Sequence, residues 1–559
     1  MKRDDRDSEV IRRNNALARV KMKTILLAGL SADAQAAIED KLPSTMTHRV
    51  TDADVADLIV DPAVKQNPPL RWARERIGMG TLRAMREKRI IEFVDVPPDY
   101  QLLKPRGDHL VVCEAGEPLS EVIAANYAFA LNADLHVIDA TDELERNDLL
   151  DEFYGVDRPG INPGEVRDRL QTRLRELCNG IVLPPKGSLT FITRGLPFGA
   201  AFQELPATHL FTYPDLGIAV INGFAAEQPG TRGTNVAVVV DPGKVAAPEI
   251  EAATKLLPQR RIFVRGYEGS GATVRRITEM VDLFPYDLLI FATHCGDAPG
   301  YRWTYQFTDS EGIERTLVVD IAIGVADTDD PEMLRVSQFM RFHSLDGVDW
   351  SNSVAKAELY VGMAIRDFMA QRADELQPVH RTTVDRVIGS AAMAMADHHY
   401  IAIPRSLAAE GSPIIINNAC VSWHELAMRF TFANARAYIG TLYPVSDAEA
   451  EAVVTRLLTK YFGKPLPHAM WAAQNAVYGK DTNRRPYVVT GVYPQRLRST
   501  REDVPRQLMS RMIGGQRHWK DKVANVPEGD EKRKKALRDF VEFYDQEVTS
   551  MRERWFRAE

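Results

Sequence analysis

Apolar residues in this chain collect in short blocks of the kind shown by buried parallel strands. The blocks alternate with stretches whose apolar positions recur every three or four residues. His109–Cys113 and Asp134–Ile138 are two such blocks, and Pro118–Leu131 between them has helical spacing. A helical link requires the strands it joins to run parallel. From Gly187 onward the rhythm is continuous. Ser188–Thr193, Thr208–Tyr213, Gly217–Ile221 and Asn235–Val240 read as strands, the last stopped by the turn Asp241-Pro242-Gly243. Pro248–Leu257 reads as a helix and Arg261–Val264 as a strand. Ala272–Phe284 is a second helix, with Val274, Ile277, Val281 and Phe284 on one face. The blocks Asp287–Ala292 and Ile414–Ile416 add two more buried strands, followed by strand Ala437–Leu442 and helices Asp447–Phe462 and Pro467–Tyr478. Ser446 and Glu449 have the spacing of a capping box for the first of these helices. Strand–helix alternation of this kind predicts a doubly wound α/β fold with a mostly parallel central sheet.

Other stretches depart from this rhythm. Residues 1–22 are densely charged and read as a solvated helix or an arm; Thr24–Leu30 reads as a strand and Ala34–Leu42 as a helix. Residues 60–107 give little periodicity. Between the Asp287 and Ile414 blocks lies a long insertion. In it Trp303, Tyr305 and Phe307 alternate, Asp309-Ser310-Glu311-Gly312 turns, and Leu317–Val325 continues as a hairpin partner, with Val354–Met369 helical after it. Past Ser499 the chain becomes charged. There Leu537, Phe540, Val541, Tyr544, Val548, Met551 and Trp555 line one stripe of a terminal helix, which reads as packing against the body of the protein. The resulting division is an accessory α/β region over 1–180, a main domain over 181–498 with its insertion at 300–410, and a helical C-terminal segment over 499–559.

Composition narrows the function classes. With 70 Lys and Arg against 77 Asp and Glu, the net charge is −7, so no bulk basic field favours nucleic acid. No apolar run reaches 18 residues, so no membrane span is expected. Thr24–Leu30 follows basic residues as a leader's apolar core would, but it is short and sits behind a charged stretch, and a strand is the preferred reading. Four cysteines in 559 residues, with no CxxC pair, fit a reducing compartment and a cytoplasmic location.

Two of the apolar blocks end abruptly at reactive side chains, His294 and Cys420, separated by 126 positions (420 − 294). In open parallel sheets, ligands bind beyond the carboxyl ends of the strands, so residues this far apart in sequence can meet there. A free cysteine closing an apolar strand is commonly inert core, and a histidine at a strand end is commonly a satisfied polar residue. The pair stands apart because both members fall at the same end of strands expected to be neighbours. Small residues also flank both (Ala292, Thr293 and Gly296; Ala419 and Ser422). In this reading His294 takes the thiol proton and later protonates the leaving amine, while Cys420 attacks a carbonyl as thiolate. The oxyanion would rest on the backbone N–H groups of Cys295 or Gly296 and of Cys420. No third residue is assigned.

Three other signals read as structural. Arg265–Thr273 is glycine-rich and opens a helix, but it lacks the Lys-Ser/Thr ending of a phosphate loop and contains Glu268, so a tight turn is expected. Asp397, His398 and His399 lack an evident further metal ligand. His424 and Glu425, one turn after Cys420, read as helix surface.

The blocks Asp287–Gly296 (DLLIFATHCG), Ile414–Cys420 (IIINNAC), Ala437–Asp447 (AYIGTLYPVSD) and Gly463–Ala473 (GKPLPHAMWAA) resemble, in that order, the CHAT domain. That domain belongs to the class of cysteine peptidases that includes caspases, separase and gingipains. Ser188–Gly223 is similar to its opening strands, so the likeness covers roughly residues 185–480. The resemblance implies a caspase-like αβα sandwich, a dyad of His294 and Cys420, and neither metal nor organic cofactor. It also implies a protein substrate, an activating partner in some members, and bacterial roles that include antiviral defence and programmed death. Two departures stand out. Cys295 intervenes between His294 and Gly296, where the family has His followed by Gly. Asn418 stands two residues before the nucleophile, where related metacaspases have an Asp that binds a basic substrate residue. Asn418 is therefore a candidate substrate-binding residue whose neutrality leaves the preference open.

A cysteine endopeptidase is the leading expectation. A silent caspase-like scaffold that binds a protein partner, and a nucleotide-binding module gripping phosphate at 265–273, are the alternatives.

Overall fold

The computed structural model describes residues 25–28, 47–50, 64, 66–95, 107–156, 160–212, 216–228, 233–328, 332, 334–370, 376–404, 406–479, 483–499 and 503–555. The expectations for residues 1–22 and for a helix over 34–42 lie outside them. The chain divides into two compact units, Met1–Pro229 with Leu466–Trp471 and Asn483–Gln495, and Gly230–Pro465 with Ala472–Thr482 and Arg496–Glu559.

In the first unit, β1 (Ile25–Ala28) and β2 (Thr47–Val50) pair in parallel. β3 (Leu70–Trp72), α1 (Ile77–Glu87) and β4 (Ile91–Phe93) then form a small parallel βαβ unit. Sequence periodicity is silent there because three-residue strands are too short to display alternation. The main sheet is built from β5 (His109–Glu114), α2 (Pro118–Ala130), β6 (Asp134–Ile138), α3 (Glu143–Tyr154), α4 (Pro163–Leu177), β7 (Ser188–Thr193), β8 (Ala207–Phe211) and α5 (Leu216–Ala226). Its strand order is Tyr487–Gly491, β8, β7, β5, β6, all parallel. The βαβ unit expected over 109–138 is present.

The strand expected at Gly217–Ile221 is instead the start of helix α5. Five consecutive apolar residues fit either period, and the polar Asn222 looks like a stop. In the fold the helix continues through it, with Asn222 and Gly223 buried. A Cβ on Gly223 would come within 2.3 Å of Val492 Cγ2, so glycine permits the close packing that fixes this segment as a helix.

The second unit begins with β9 (Val236–Asp241), α6 (Pro248–Gln259), β10 (Phe263–Glu268), α7 (Val274–Leu283) and β11 (Leu288–Phe291). The insertion then adds β12 (Cys295–Gly296), β13 (Gly300–Thr308), β14 (Glu314–Asp327), β15 (Leu334–Leu345), β16 (Val348–Asp349), α8 (Ser353–Glu358), α9 (Ala364–Ala370), β17 (His380–Val384), β18 (Ala392–Ala394) and β19 (His399–Ile401). The doubly wound pattern resumes with β20 (Ile414–Asn417), α10 (His424–Phe432), β21 (Ala437–Thr441) and α11 (Asp447–Leu458), whose capping box on Ser446 and Glu449 is formed as expected. The parallel sheet has the order β10, β9, β11, β20, β21.

The insertion folds as two antiparallel sheets, β16-β15-β14-β13-β17 and β12-β18-β19. The expected hairpin pairs Trp303 with Val319 and Tyr305 with Leu317. Tyr305, Leu317, Val319, Ile321, Leu345 and Phe368 form its own core. The single helix expected over 354–369 is split into α8 and α9: Leu359 is extended and Gly362 adopts φ 49° between them.

α12 (Leu466–Tyr478), α13 (Val504–Ala524) and α14 (Glu531–Trp555) complete the chain. The apolar stripe of α14 packs as expected over Tyr544, Val548 and Met551, which are buried. Tyr544 Oη donates to the Leu283 carbonyl at 2.7 Å, and Arg265 pairs with Glu547 at 2.9 Å. That pairing occupies the cation a phosphate at 265–273 would have met; Gly269–Gly271 is a single 3₁₀ turn, as the turn reading anticipated. Among the described residues no helix is long and apolar enough to cross a membrane.

Candidate functional site

β11 and β20 are neighbours and run parallel, in the register Leu288–Ile414, Leu289–Ile415, Ile290–Ile416 and Phe291–Asn417. All eight residues are buried. Aliphatic runs of this type need covering on both faces, which is why they occupy the centre of the sheet. Asn418 N–H continues the ladder by donating to the Phe291 carbonyl at 3.0 Å. Three residues beyond Phe291 comes His294, and three beyond Asn417 comes Cys420. Both therefore emerge at the carboxyl edge of the same sheet.

A dense set of hydrogen bonds holds the turn around Cys420. Ala419 N–H donates to Asn417 Oδ1 at 3.0 Å and Ser422 Oγ donates to the Asn417 carbonyl at 3.0 Å. Thr441 Oγ1 donates to the Ala419 carbonyl at 2.8 Å, and Tyr438 Oη to the Ser422 carbonyl at 2.7 Å. Within this frame Val421 takes φ 53°. A β-branched residue in the left-handed region is strained, and such strain persists only where surrounding contacts impose it. The bend carries the chain from β20 into α10 and leaves Cys420 half-buried, with Sγ 3.9 Å from the Val445 carbonyl just ahead of α11.

His294 is exposed at the end of β11. Its backbone is fixed by β18: Ala394 N–H donates to the His294 carbonyl at 2.9 Å, and Thr293 Oγ1 donates to the Ala394 carbonyl at 2.5 Å. Cys295 and Gly296 then face Met393 and Ala392 across an antiparallel ladder. Since His294 and Ala394 are a hydrogen-bonded pair, alternation directs the Gly296 N–H toward β18 and the Cys295 N–H away from it. β20 reaches the same segment, because Asn417 Nδ2 lies 3.3 Å from Met393 Sδ. Arg429 on α10 donates to the carbonyls of Ser390 (3.0 Å), Ala402 (3.2 Å) and Gly389, and Asp297 accepts from Arg386 Nε at 2.7 Å and Gly389 N–H at 2.9 Å. The part of the insertion next to the histidine is thus tied to both strands that carry the pair.

The four thiols differ. Cys113 and Cys178 are buried in the first unit, where burial pushes the first well up and the second to about 12. Cys295 is half-buried as a residue, but its densely surrounded thiol is pushed up to about 12 by burial, then by Asp297 and Cys420. A thiol raised in this way stays protonated at neutral pH.

Asn418 is 5% exposed, and neither of its amide atoms has a hydrogen-bond partner. Beside it lies a residue that sequence reasoning passed over, Glu249, the second residue of α6, which is 3% exposed with Oε2 unpartnered. Burial raises its carboxyl to about 7. Its own N–H opposes that shift, the Asp447 charge adds to it, the Asn418 amide opposes it, and Asp241 adds to it. The Asn418 amide is thus near enough to favour the carboxylate. No sequence pattern marks a lone Glu at a helix start as chemical, since an acid there is ordinary helix-end electrostatics.

Two other expectations change. His424, read as helix surface, is buried and sits 3.4 Å from Glu425. A third group with ligand atoms, which the sequence did not reveal beside Asp397 and His398, is Asp327 at the end of β14. Ligand atoms of the three lie within 4.8 Å of one another, with Asp327 exposed and His398 in ion-pair range of it at 3.7 Å. Asp397 and His398 are half-buried, and one Asp397 carboxylate oxygen is buried without a hydrogen-bond partner.

No family model matches the chain, and no curated protein matches it.

Proposed function

We propose that this chain is a cysteine endopeptidase of the caspase-like class, acting through His294 and Cys420. The observation that supports this reading best is the shared offset of the two residues beyond the last rung between adjacent parallel strands. A nucleophile and its base must come within hydrogen-bond reach, and strands in fixed register hold them at one sheet edge without further adjustment. The strained bend at Val421, the protonated state of the only other half-buried thiol, and the resemblance of the surrounding blocks to the CHAT domain point the same way.

In the reaction, His294 accepts the Cys420 proton as the sulfur attacks the scissile carbonyl. The S–C bond forms, the carbonyl oxygen becomes an oxyanion, and backbone N–H groups stabilise it, those of Cys295 and Cys420 being best suited. Collapse breaks the C–N bond, and His294 gives its proton to the departing amine. Water then adds to the thioester with His294 as base, releasing the acid and restoring the thiol. These steps need no metal or organic cofactor. The substrate is a protein, and a role in regulated cleavage such as defence or programmed death follows from the resemblance alone.

The test compares new protein N-termini in cells expressing the wild-type chain or Cys420→Ala. Cuts present only with the wild type are expected, and they read out substrate and preference together. Identical profiles in both, with an activating lysate added, would sink the reading.

A further inference from the structure

Asp397 and His398 sit on the tight turn between β18 and β19, which Met395 N–H closes by donating to the His398 carbonyl at 2.8 Å. The turn is pinned twice to the start of α7. Ala396 N–H donates to the Ala272 carbonyl at 3.0 Å, and Val274 N–H donates to Asp397 Oδ1 at 2.9 Å. The other carboxylate oxygen of Asp397, Oδ2, is buried with no hydrogen-bond partner. Buried polar atoms are almost always paired, and a bare carboxylate oxygen is among the costlier exceptions. Strand β14 brings a second acid to the same place. A Cβ on Gly324 would lie 3.4 Å from the His399 carbonyl oxygen, so glycine lets β14 run close against β19, and Ala322 shares a small apolar core with Ala392 and Ile401. Asp327, three residues beyond Gly324, thereby reaches the turn. Its carboxylate, that of Asp397 and the His398 ring present ligand atoms within 4.8 Å of one another, with His398 Nε2 3.7 Å from Asp327 Oδ1. Lys244 Nζ donates to the Ala396 carbonyl at 3.2 Å and pairs with neither acid.

We propose that Asp327, Asp397 and His398 bind a divalent transition-metal ion of the zinc class, which staples the end of β14 to the β18–β19 turn. The site is independent of the peptidase reading and takes no part in peptide cleavage. Zinc binds nitrogen and oxygen ligands at about 2.0–2.2 Å, so its ligand atoms stand roughly 3–3.5 Å apart, and water completes a set of three protein ligands. Asp397 and His398 are placed by the rigid turn, as a preorganised site requires. Closing the remaining gap falls to Asp327, whose side chain is exposed at the end of its strand. The imidazole selects against calcium and magnesium, which favour larger sets made of oxygen alone. A water molecule could donate to Asp397 Oδ2, but it brings no charge to offset two neighbouring carboxylates. A protonated His398 would pair with Asp327 and leave Oδ2 as it is. A metal ion answers both needs, and because it binds only the folded arrangement it stabilises the insertion.

The test uses the full-length chain stripped of metal with a chelator, as wild type and as Cys420→Ala, because an accessible thiol is itself a zinc ligand. Calorimetric titration of Cys420→Ala with zinc is expected to show one site per chain and a raised thermal midpoint. Cobalt(II) in its place should give a visible ligand-field spectrum without the sulfur charge-transfer band of a thiolate ligand. Asp327→Asn and His398→Gln are each expected to weaken zinc binding about tenfold or more and to remove the cobalt spectrum. Calcium or magnesium at the same concentration should displace neither metal. Asp397→Asn, which keeps an oxygen for Val274 N–H, is expected to act likewise. Asp327→Asn, at an exposed position, carries the test if the turn variants fail to fold. Absence of zinc binding, or an affinity that survives both Asp327→Asn and His398→Gln, would overturn the site and leave a plain ion pair between His398 and Asp327. Binding seen in the wild type but lost in Cys420→Ala would overturn it too, by assigning the metal to the thiol.

Discussion

Phe291 and Asn417 form the last rung between two parallel strands, and His294 and Cys420 each follow at the same remove from it. The relationship makes the pair a consequence of strand register. A slip of one residue would send every side chain of a strand to the opposite face. In β11 and β20, whose aliphatic residues are buried on both faces, close packing opposes such a slip.

Substitution of either member of the pair should remove activity without unfolding the protein. Cys420→Ala and His294→Ala are expected to lower the rate of peptide cleavage by about a thousandfold or more. Because His294 is exposed and Cys420 half-buried, thermal midpoints should stay within a few degrees of the wild type. A His294→Ala enzyme retaining most of its cleavage rate would remove the histidine from the mechanism.

Thiol reactivity should be selective. At pH 7.5 in native protein, iodoacetamide is expected to modify Cys420 before Cys295, Cys178 or Cys113, whose thiols are all held protonated by burial. Peptide mapping after brief alkylation measures the order directly. Preferential labelling of Cys295 would contradict it.

Arg429 ties α10 to the segment that supports His294. Its removal strands the carbonyls of Gly389, Ser390 and Ala402. It also removes an ion-pair partner of Glu425, whose carboxyl is held low against the burial that opposes this by His424 and Arg429. Arg429→Met should cost about 2–4 kcal/mol in urea unfolding and should lower cleavage even in the folded fraction. A variant as stable and active as the wild type would show the segment to be held by other contacts.

Glu249 predicts a pH dependence of stability. Its folded-state carboxyl is raised to about 7 by burial, with Asp447 on α11 and Asp241 on β9 adding to the shift. For an acid raised in this way the stabilising contribution is complete below the unfolded value. It is lost as pH climbs through the folded one, a window from roughly pH 4.5 to pH 7, with an upper size of about 3 kcal/mol. Glu249→Gln should remove this loss, so that its urea midpoint exceeds the wild-type value at pH 8 by more than at pH 5. A difference between the two proteins that is the same at both pH values would place the Glu249 carboxyl in an ordinary environment.

Much of this molecule is legible in its sequence. Strand and helix alternation from Ser188 onward, the hairpin at Trp303–Val325, the capping box at Ser446 and the stripe of α14 each repeat a local period long enough to be read. Errors cluster where the period is short or ambiguous. The helix at Leu216–Ala226 passes for a strand because five apolar residues suit either geometry, and Leu70–Trp72 and Ile91–Phe93 are too brief to announce themselves. The reactive pair is visible as two apolar blocks ending in His294 and Cys420, since burial of a strand leaves a composition that chain order preserves.

What tertiary structure alone decides is proximity between elements with no shared local pattern. Only the fold brings β18 against Thr293–Gly296, Asp327 toward His398, Glu547 onto Arg265, and Glu249 to Asn418. Each of these contacts depends on how far separated segments stack, and on the loss of water that makes an unpaired carboxylate or amide consequential. Hydrophobic period along the chain specifies the strands and their direction. The chemistry at their ends is set by packing, which determines which polar atoms are buried and which are left without a partner.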